Sequence, residues 1–376
     1  MAAADIHHRT ADFRALYSRV LADLKSFIGT KNDVVMIAAS GTGMMEASVA
    51  NLTSPGDTVV TVTAGKFGER WKGITQAYNC KTEVINAEYG TTVPITAIRE
   101  RLKAHPDVKV LFTQATETST GVRHDIKSMA EMLNKEFPDV LFVVDAITGL
   151  GTTNIDVDAW GIDVILGGSQ KAVMIPPGLA FGAVSERAWQ RMETAKNPRF
   201  YFDLRKERKS AAKGESAYTP AIALIAALGA AFDFIRNMGK GDIAAGRVAL
   251  VNNAEMCAEM TREAAKALGL ELFSQTNHSA AVTAIKAPEG VDSGVIVKAF
   301  REEFGAVISN GQGDEMKGKI FRMAHLGYFD YLDTIGTIAA LEQILAHLGK
   351  PKHFEFGPGL RAAQRVYARY SFEAKQ

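Results

Sequence analysis

Seven short runs rich in valine and isoleucine, at residues 34–39, 58–62, 81–85, 108–114, 140–145, 162–166 and 179–184, alternate with amphipathic stretches. Strands buried on both faces read as continuous apolar runs, and parallel neighbours need a crossover long enough to hold a helix. The alternation therefore predicts an α/β fold, with one large, mostly parallel seven-stranded sheet covered by helices on both faces. Helical patterns fall at 45–52, 67–78, 94–105 and 126–136, with turns at Ser54-Pro55-Gly56-Asp57 and Phe137-Pro138-Asp139. After Pro220 an alanine-rich stretch to Met238 reads as a long helix. The pattern then becomes helix, strand, helix, two short strands, helix, which predicts a smaller C-terminal α+β domain. The expected divisions are an N-terminal helical segment at 1–28, a large domain at 29–250, the small domain at 251–348 and an appended surface segment at 349–376.

Composition narrows the function classes without naming a reaction. At 376 residues with 47% hydrophobic content, the chain can bury a large core and favours a big domain plus a smaller one. A formal net charge of +1 leaves no footprint for nucleic acid or an anionic membrane. Cys80 and Cys257 stand far apart and outside any metal-ligand spacing, so they read as reduced thiols, with no metal site implied. No segment has the length of a membrane span or the apolar run of a signal peptide, and the expectation is a soluble cytoplasmic protein.

Two of the apolar runs end in chemistry. Leu141-Phe142-Val143-Val144 closes on Asp145, and Val164-Ile165-Leu166 leads through Gly167-Gly168-Ser169-Gln170 to Lys171. An amine can hold an aldehyde cofactor as a Schiff base, and a carboxylate beside a pyridine nitrogen keeps it protonated and electron-accepting, which is what pyridoxal phosphate chemistry requires. Asp145 alone reads equally well as a helix cap. Lys171 alone could be a solvated lysine, but its neighbours Ala172-Val173-Met174-Ile175-Pro176-Pro177-Gly178 suit a buried loop, where a desolvated amine loses its proton more readily. The same segment is no hydrolase elbow, because that motif needs glycine at the lysine position. Ser40-Gly41-Thr42-Gly43-Met44-Met45-Glu46 follows the first strand and opens a helix, a place where amides and the helix dipole can hold phosphate; a plain turn capped by Thr42 is the competing reading. Glu46 stands where a dinucleotide motif would carry its third glycine.

Val144-Asp145-Ala146-Ile147-Thr148-Gly149-Leu150-Gly151, the Gly161-Ile162-Asp163 turn and Gly168-Ser169-Gln170-Lys171-Ala172 through Pro176-Pro177-Gly178 resemble the class V aminotransferases, specifically the serine/alanine:glyoxylate (serine–pyruvate) branch. The resemblance runs from His8-Arg9 to about Leu348. It implies a fold type I, pyridoxal 5′-phosphate-dependent homodimer with active sites at the subunit interface. Lys171 would be the Schiff-base lysine and proton carrier, Asp145 the pyridine-nitrogen partner and Gln170 a neighbour of the cofactor. Thr42, Gly43 and Met44 would supply phosphate-binding amides. Phe67, in Ala64-Gly65-Lys66-Phe67-Gly68-Glu69-Arg70, matches an aromatic that stacks on the ring, where many relatives carry tryptophan. Thr118, in Thr116-Glu117-Thr118-Ser119-Thr120-Gly121-Val122, matches the hydroxyl residue at the phenolic oxygen. Thr219, with Tyr218 assisting, resembles the residue that reaches the partner's phosphate. Arg322, in Ile320-Phe321-Arg322-Met323-Ala324, matches the arginine that grips the substrate carboxylate as a fork.

The implied reaction is ping-pong transamination between a small amino acid, serine or alanine, and a 2-oxo acid, glyoxylate or pyruvate. Other class V chemistry stays open, including aminoethylphosphonate or amine transamination and a catalytically impaired relative. A desulfurase would need a mobile cysteine late in the chain, and none follows Cys257; it would also stack a histidine where Phe67 stands. One departure lies at the start: Met1-Ala2-Ala3-Ala4-Asp5 occupies the place where relatives carry a Pro-Gly-Pro segment that helps wall the substrate pocket.

Overall fold

A computed structural model describes residues 6–352 and 354–373. Met1-Ala2-Ala3-Ala4-Asp5, the point of departure at the start, lies outside the described residues. The chain opens with α1 (Ala11–Ile28), whose N-cap Thr10 accepts from the Phe13 amide and whose C-cap Gly29 takes φ +77°. Phe13, Tyr17, Val20, Leu24 and Phe27, spaced three or four apart, bury one stripe of it. Then follow β1 (Asp33–Ile37), α2 (Gly41–Leu52), β2 (Thr58–Thr63), α3 (Lys66–Ala77), β3 (Lys81–Asn86), α4 (Ile95–Ala104) and β4 (Val110–Gln114). A small hairpin, β5 (Thr116–Glu117) and β6 (Val122–Arg123), precedes α5 (Ile126–Glu136), β7 (Leu141–Asp145), β8 (Val164–Gly168) and β9 (Ala180–Val184). Helices α6 (Glu186–Thr194), α7 (Leu204–Ala211), α8 (Ile222–Met238) and α9 (Ile243–Ala267) lead out of this region.

The seven long strands form one sheet in the order β1-β9-β8-β7-β4-β2-β3. All neighbours are parallel except at β9, which runs antiparallel to both β8 and β1. Alternate side chains feed two separate cores, as the twofold period of a strand demands. Val34, Met36, Phe142, Val144 and Ile165 join α1, α4, α5 and α8 on one face. Val35, Ile37, Leu141, Val143, Val164 and Leu166 join α2, α3 and α6 on the other. This is the mixed α/β sheet expected from the apolar runs.

Beyond α9 come β10 (Val282–Lys286), α10 (Ser293–Phe304), β11 (Ser309–Asn310), β12 (Ile320–Ala324) and α11 (Tyr331–His347). Their strands make an antiparallel sheet in the order β10-β12-β11. The last element, α12 (Pro358–Glu373), differs from the appended surface segment expected there. Ala363 and Val366 pack with Met260 and Ala264 of α9 and Ile338 of α11. The buried carboxylate of Glu342 accepts from the amides of Gly357, Gly359 and Leu360 at 2.7, 2.9 and 3.2 Å, so a side chain from α11 caps this helix. No single helix among the described residues is long and apolar enough to cross a membrane.

Two histidines are built into the interior as neutral rings. Burial pushes His124 down to about 4 and His325 down to about 3, from 6.5. A histidine whose folded pKa is depressed contributes stability that is full above its unfolded value and is lost as pH falls toward the folded one. Among the described residues neither ring nitrogen of His124 has a hydrogen-bond partner, so no acceptor offsets the cost of charging the ring there. The thermal midpoint of the wild type should therefore fall more steeply between about pH 6.5 and pH 4.5 than that of His124→Phe. Parallel pH profiles for the two proteins would show that His124 does not contribute.

Candidate active site

Asp145 is the last residue of β7 and Lys171 stands three residues past the end of β8; the two strands pair in parallel, with Asp145 opposite Leu166. Both side chains are thus delivered to the carboxyl edge of the sheet, where open α/β folds place their ligands. Asp145 is 6% exposed, and its Oδ1 accepts from the Ile147 amide at 2.9 Å. Burial pushes its pKa up to about 6, with Glu117 adding in the same direction, while Ile147, Arg70 and Lys171 oppose. Burial lowers the pKa of Lys171; Asp145 resists that shift, and Arg322 and Arg70 reinforce it. The two groups therefore lie within reach of each other's field, each displaced toward its neutral form.

The Lys171 loop is held from behind by Ser169. Its hydroxyl donates to the Pro176 carbonyl at 2.9 Å and accepts from the Leu179 amide at 3.2 Å. The Met174 amide donates to the Lys171 carbonyl at 2.9 Å, with Met174 itself at φ +51°, a strained value for a side chain of that size. Gly327, between β12 and α11, comes so close that a Cβ there would lie 3.3 Å from the Lys171 carbonyl oxygen.

Thr42, Gly43 and Met44 form the first turn of α2, which begins without a side-chain cap on Ser40. Gly41 brings that turn against the Asp145 segment: a Cβ there would meet Ile147 Cδ1 at 2.4 Å. The Gly43 amide donates to the Ser40 carbonyl at 2.8 Å, and Thr42 Oγ1 accepts from Arg70 Nη1 at 2.8 Å. Phe67, half-buried in the first turn of α3, has the Arg70 guanidinium over its ring at 5.1 Å. Thr118 is buried at the tip of the β5–β6 hairpin, and Gln170 Oε1 has no partner among the described residues.

Arg322, on β12, is 7% exposed. Its Nη1 donates to the Thr118 carbonyl at 2.9 Å, and Nε and Nη2 donate to the Asn310 carbonyl at 3.2 and 2.9 Å. One N–H on each terminal nitrogen is left for another acceptor. Burial lowers its pKa and Glu117 opposes. The fork thus reaches from the β10-β12-β11 sheet to the β5–β6 hairpin.

Tyr218 and Thr219 are not brought into this group within the chain. They line a separate cavity of about 430 Å³ with His8, Arg9, Phe13 and Arg14, and the Tyr218 hydroxyl donates to the Phe200 carbonyl at 2.7 Å. Two residues that the sequence reading did not single out do belong. Arg70 and Glu117 both lie inside segments quoted above, but charged residues there read as solvated; the fold buries Glu117, while Arg70 stays exposed and joins the group through its bond to Thr42 and its place over the Phe67 ring.

Gly167 gives a direct test of how tightly this edge is packed, because a Cβ there would lie 2.1 Å from the Phe181 ring on β9. Gly167→Ala should cost about 1–3 kcal/mol of stability. An unchanged thermal midpoint would show that the ring can yield.

The pattern that defines the class-V aminotransferases matches residues 2–317. The soluble hydrogenase 42 kDa subunit of Anabaena cylindrica is 38% identical, over 96% of this chain and 93% of its own length. Serine–glyoxylate aminotransferase of Methylorubrum extorquens is 30% identical, over 91% of this chain and 86% of its own. Among solved structures, alanine–glyoxylate aminotransferase from Nostoc sp. superposes with a TM-score of 0.84 at 26% identity, covering 91% of this chain and 90% of that one.

Proposed function

Because this chain belongs to the class V aminotransferases, whose cofactor is pyridoxal 5′-phosphate, we propose that it transfers an amino group from serine or alanine to glyoxylate or pyruvate. Donor and acceptor would use one site in turn, giving ping-pong kinetics, in a cytoplasmic homodimer. The observation that carries the reading is the convergence of a buried carboxylate, Asp145, and a desolvated amine, Lys171, beside a helix that begins uncapped. The names of the serine– and alanine–glyoxylate relatives support the substrate class.

The residues present suit the cofactor. Thr42, Gly43 and Met44 would hold its phosphate, where the uncapped first turn and the α2 dipole favour an anion. Asp145 is a buried carboxylate with one amide donor, and a protonated ring nitrogen is the cation that would draw it back to the charged state. Phe67 offers an aromatic face, while Thr118 and Gln170 offer polar groups, Gln170 with its oxygen unpaired. When bound, the group supplies an electron sink that stabilises negative charge at the substrate α-carbon.

The chain's own residues would do the rest. Lys171 Nζ would hold the cofactor and, once released from it, would accept the α-proton; burial shifts it toward the neutral form that this requires. The free N–H groups of Arg322 orient the α-carboxylate, fixing which bond at the α-carbon lies ready to break. Tyr218 and Thr219 would serve the neighbouring protomer's phosphate. Their separation from Lys171 within one protomer, and the exposed Phe200 and Tyr201 near them, support that placement.

A donor-by-acceptor activity matrix tests the substrate class: serine or alanine with glyoxylate or pyruvate should lead, and a preference for donors lacking an α-carboxylate would overturn it. Borohydride reduction of the holoprotein should fix the cofactor to Lys171, and peptide mapping to another lysine would defeat that assignment. Lys171→Ala should lose turnover by about three orders of magnitude or more, since nucleophile and proton carrier vanish together. Asp145→Asn should keep the fold and lose most turnover, whereas a variant as active as wild type would leave Asp145 a structural cap. Arg322→Lys should raise KM and lower kcat while cofactor affinity holds, because a lysine keeps the charge and loses the fork.

A further inference from the structure

We propose that Glu117 is a positioning residue of this site, its ionised carboxylate fixing Phe67 at the start of α3 and serving as the counter-charge of Arg322. The inference rests on the roles proposed above for those two residues. Glu117 is fully buried at the end of β5. Its carboxylate accepts from the Phe67 amide at 3.2 and 3.3 Å, the Gly68 amide at 2.9 Å, the Ser119 amide at 3.3 Å, Gln114 Nε2 at 3.3 Å and the Ser119 hydroxyl at 2.5 Å. The three backbone amides and the glutamine NH₂ can only donate. A cage made of donors fits an anion, and a neutral acid or amide would turn a hydrogen toward one of them. Burial pushes the carboxyl pKa up, and the Ser119, Gly68 and Phe67 bonds oppose it.

The cage explains how the aromatic is aimed. Gly65, the N-cap of α3, has no side chain to cap the helix, and Glu117 caps it from across the edge of the sheet. A Cβ on Gly65 would lie 2.6 Å from Glu117 Cδ and 2.4 Å from Ser119 Oγ, so the close seat admits only glycine. The Lys66 amide donates to Ser119 Oγ at 3.0 Å, which means that three successive amides of this turn are tied to one hairpin. Phe67 sits in the middle of the three. Its backbone direction is therefore set by Glu117 and Ser119 together.

The second half concerns charge. Arg322 donates to two backbone carbonyls and, among the described residues, enters no ion pair. A buried guanidinium without an anion is costly, and carbonyl dipoles offset only part of that. Glu117 is the residue next to Thr118, whose carbonyl takes Arg322 Nη1, and its negative charge acts on the guanidinium. The anion stands close enough to stabilise the arginine electrostatically, and its oxygens are occupied by other donors, so the free N–H groups stay available to a substrate carboxylate.

The test compares holoenzyme carrying Glu117→Gln or Glu117→Asp with the wild type. Three readouts are taken: visible circular dichroism of the bound cofactor, affinity for glycolate measured by titrating the cofactor spectrum, and KM against kcat for the amino donor. Glycolate offers an α-carboxylate and can neither give nor take an amino group. Glu117→Gln leaves the charge of Arg322 without its offset, so it should tighten glycolate binding by about tenfold, lower KM in the same direction and alter the dichroism. Glu117→Asp, which keeps the charge but shortens the reach, should return glycolate affinity to the wild-type value while the dichroism stays altered. A lower thermal midpoint with wild-type glycolate affinity and dichroism in the glutamine variant would overturn the proposal, leaving Glu117 a cap only. If the glutamine variant does not fold, Glu117→Asp decides: unchanged dichroism, or glycolate affinity as weak as in Arg322→Lys, defeats it. Failure of wild-type borohydride trapping at Lys171 would instead sink the site assignment on which the inference rests.

Discussion

Burial of charge at one edge of the large sheet is the constraint around which the rest of the structure is arranged. Asp145, Glu117, Lys171 and Arg322 are all shifted toward their neutral forms by burial, and each is touched by the field of at least one of the others. In water these interactions would be minor, but desolvation makes them large enough to displace protonation. The fold does not relieve the strain by pairing the groups off. Asp145 receives one amide, Arg322 receives carbonyls, and only Glu117 is fully surrounded by donors. An edge left this incompletely neutralised is suited to a ligand that brings both a cation and anions of its own.

Close backbone approach makes that edge rigid. Gly167 lies under the Phe181 ring, Gly41 against Ile147, and Gly65 against Glu117, each at a distance where a Cβ would collide. These contacts lock β8 to β9, α2 to the Asp145 segment and α3 to the β5–β6 hairpin. Charged side chains can be held out of water only if their supports cannot drift, since a shift of an ångström would admit solvent or lose a hydrogen bond.

The sheet was legible because its strands are buried on both faces, and apolar runs mark such strands whatever their direction. Direction itself was harder to read. The link between Gly168 and Ala180 is too short for a crossover helix, which is why β9 returns antiparallel. Residues 358–373 carry apolar positions at helical spacing, Leu360, Ala363, Tyr367 and Tyr370, but no cap of their own, because the carboxylate that caps α12 belongs to Glu342 in α11. At the site, Asp145 and Lys171 stood out because charge at the end of an apolar run is unusual. Glu117 did not, because charge in a Thr/Ser/Gly-rich stretch is ordinary until the fold buries it, and Arg70 did not, because an exposed arginine on a helix is ordinary wherever it points. Tyr218 and Thr219 were singled out through resemblance alone, and they line a different cavity.

The segment around the β10-β12-β11 sheet reaches the edge at two points. Arg322 crosses to the Thr118 carbonyl, Gly327 lies against the Lys171 carbonyl, and Asn253 Nδ2 on α9 donates to the Phe329 carbonyl at 2.6 Å, steadying the segment between β12 and α11. α9 runs unbroken for 25 residues and packs at its start with the core of the large sheet and near its end with α11 and α12. A guanidinium held by main-chain carbonyls keeps its orientation without spending its remaining N–H groups on a protein carboxylate. That separation of support from reach is what leaves the fork open toward an incoming anion.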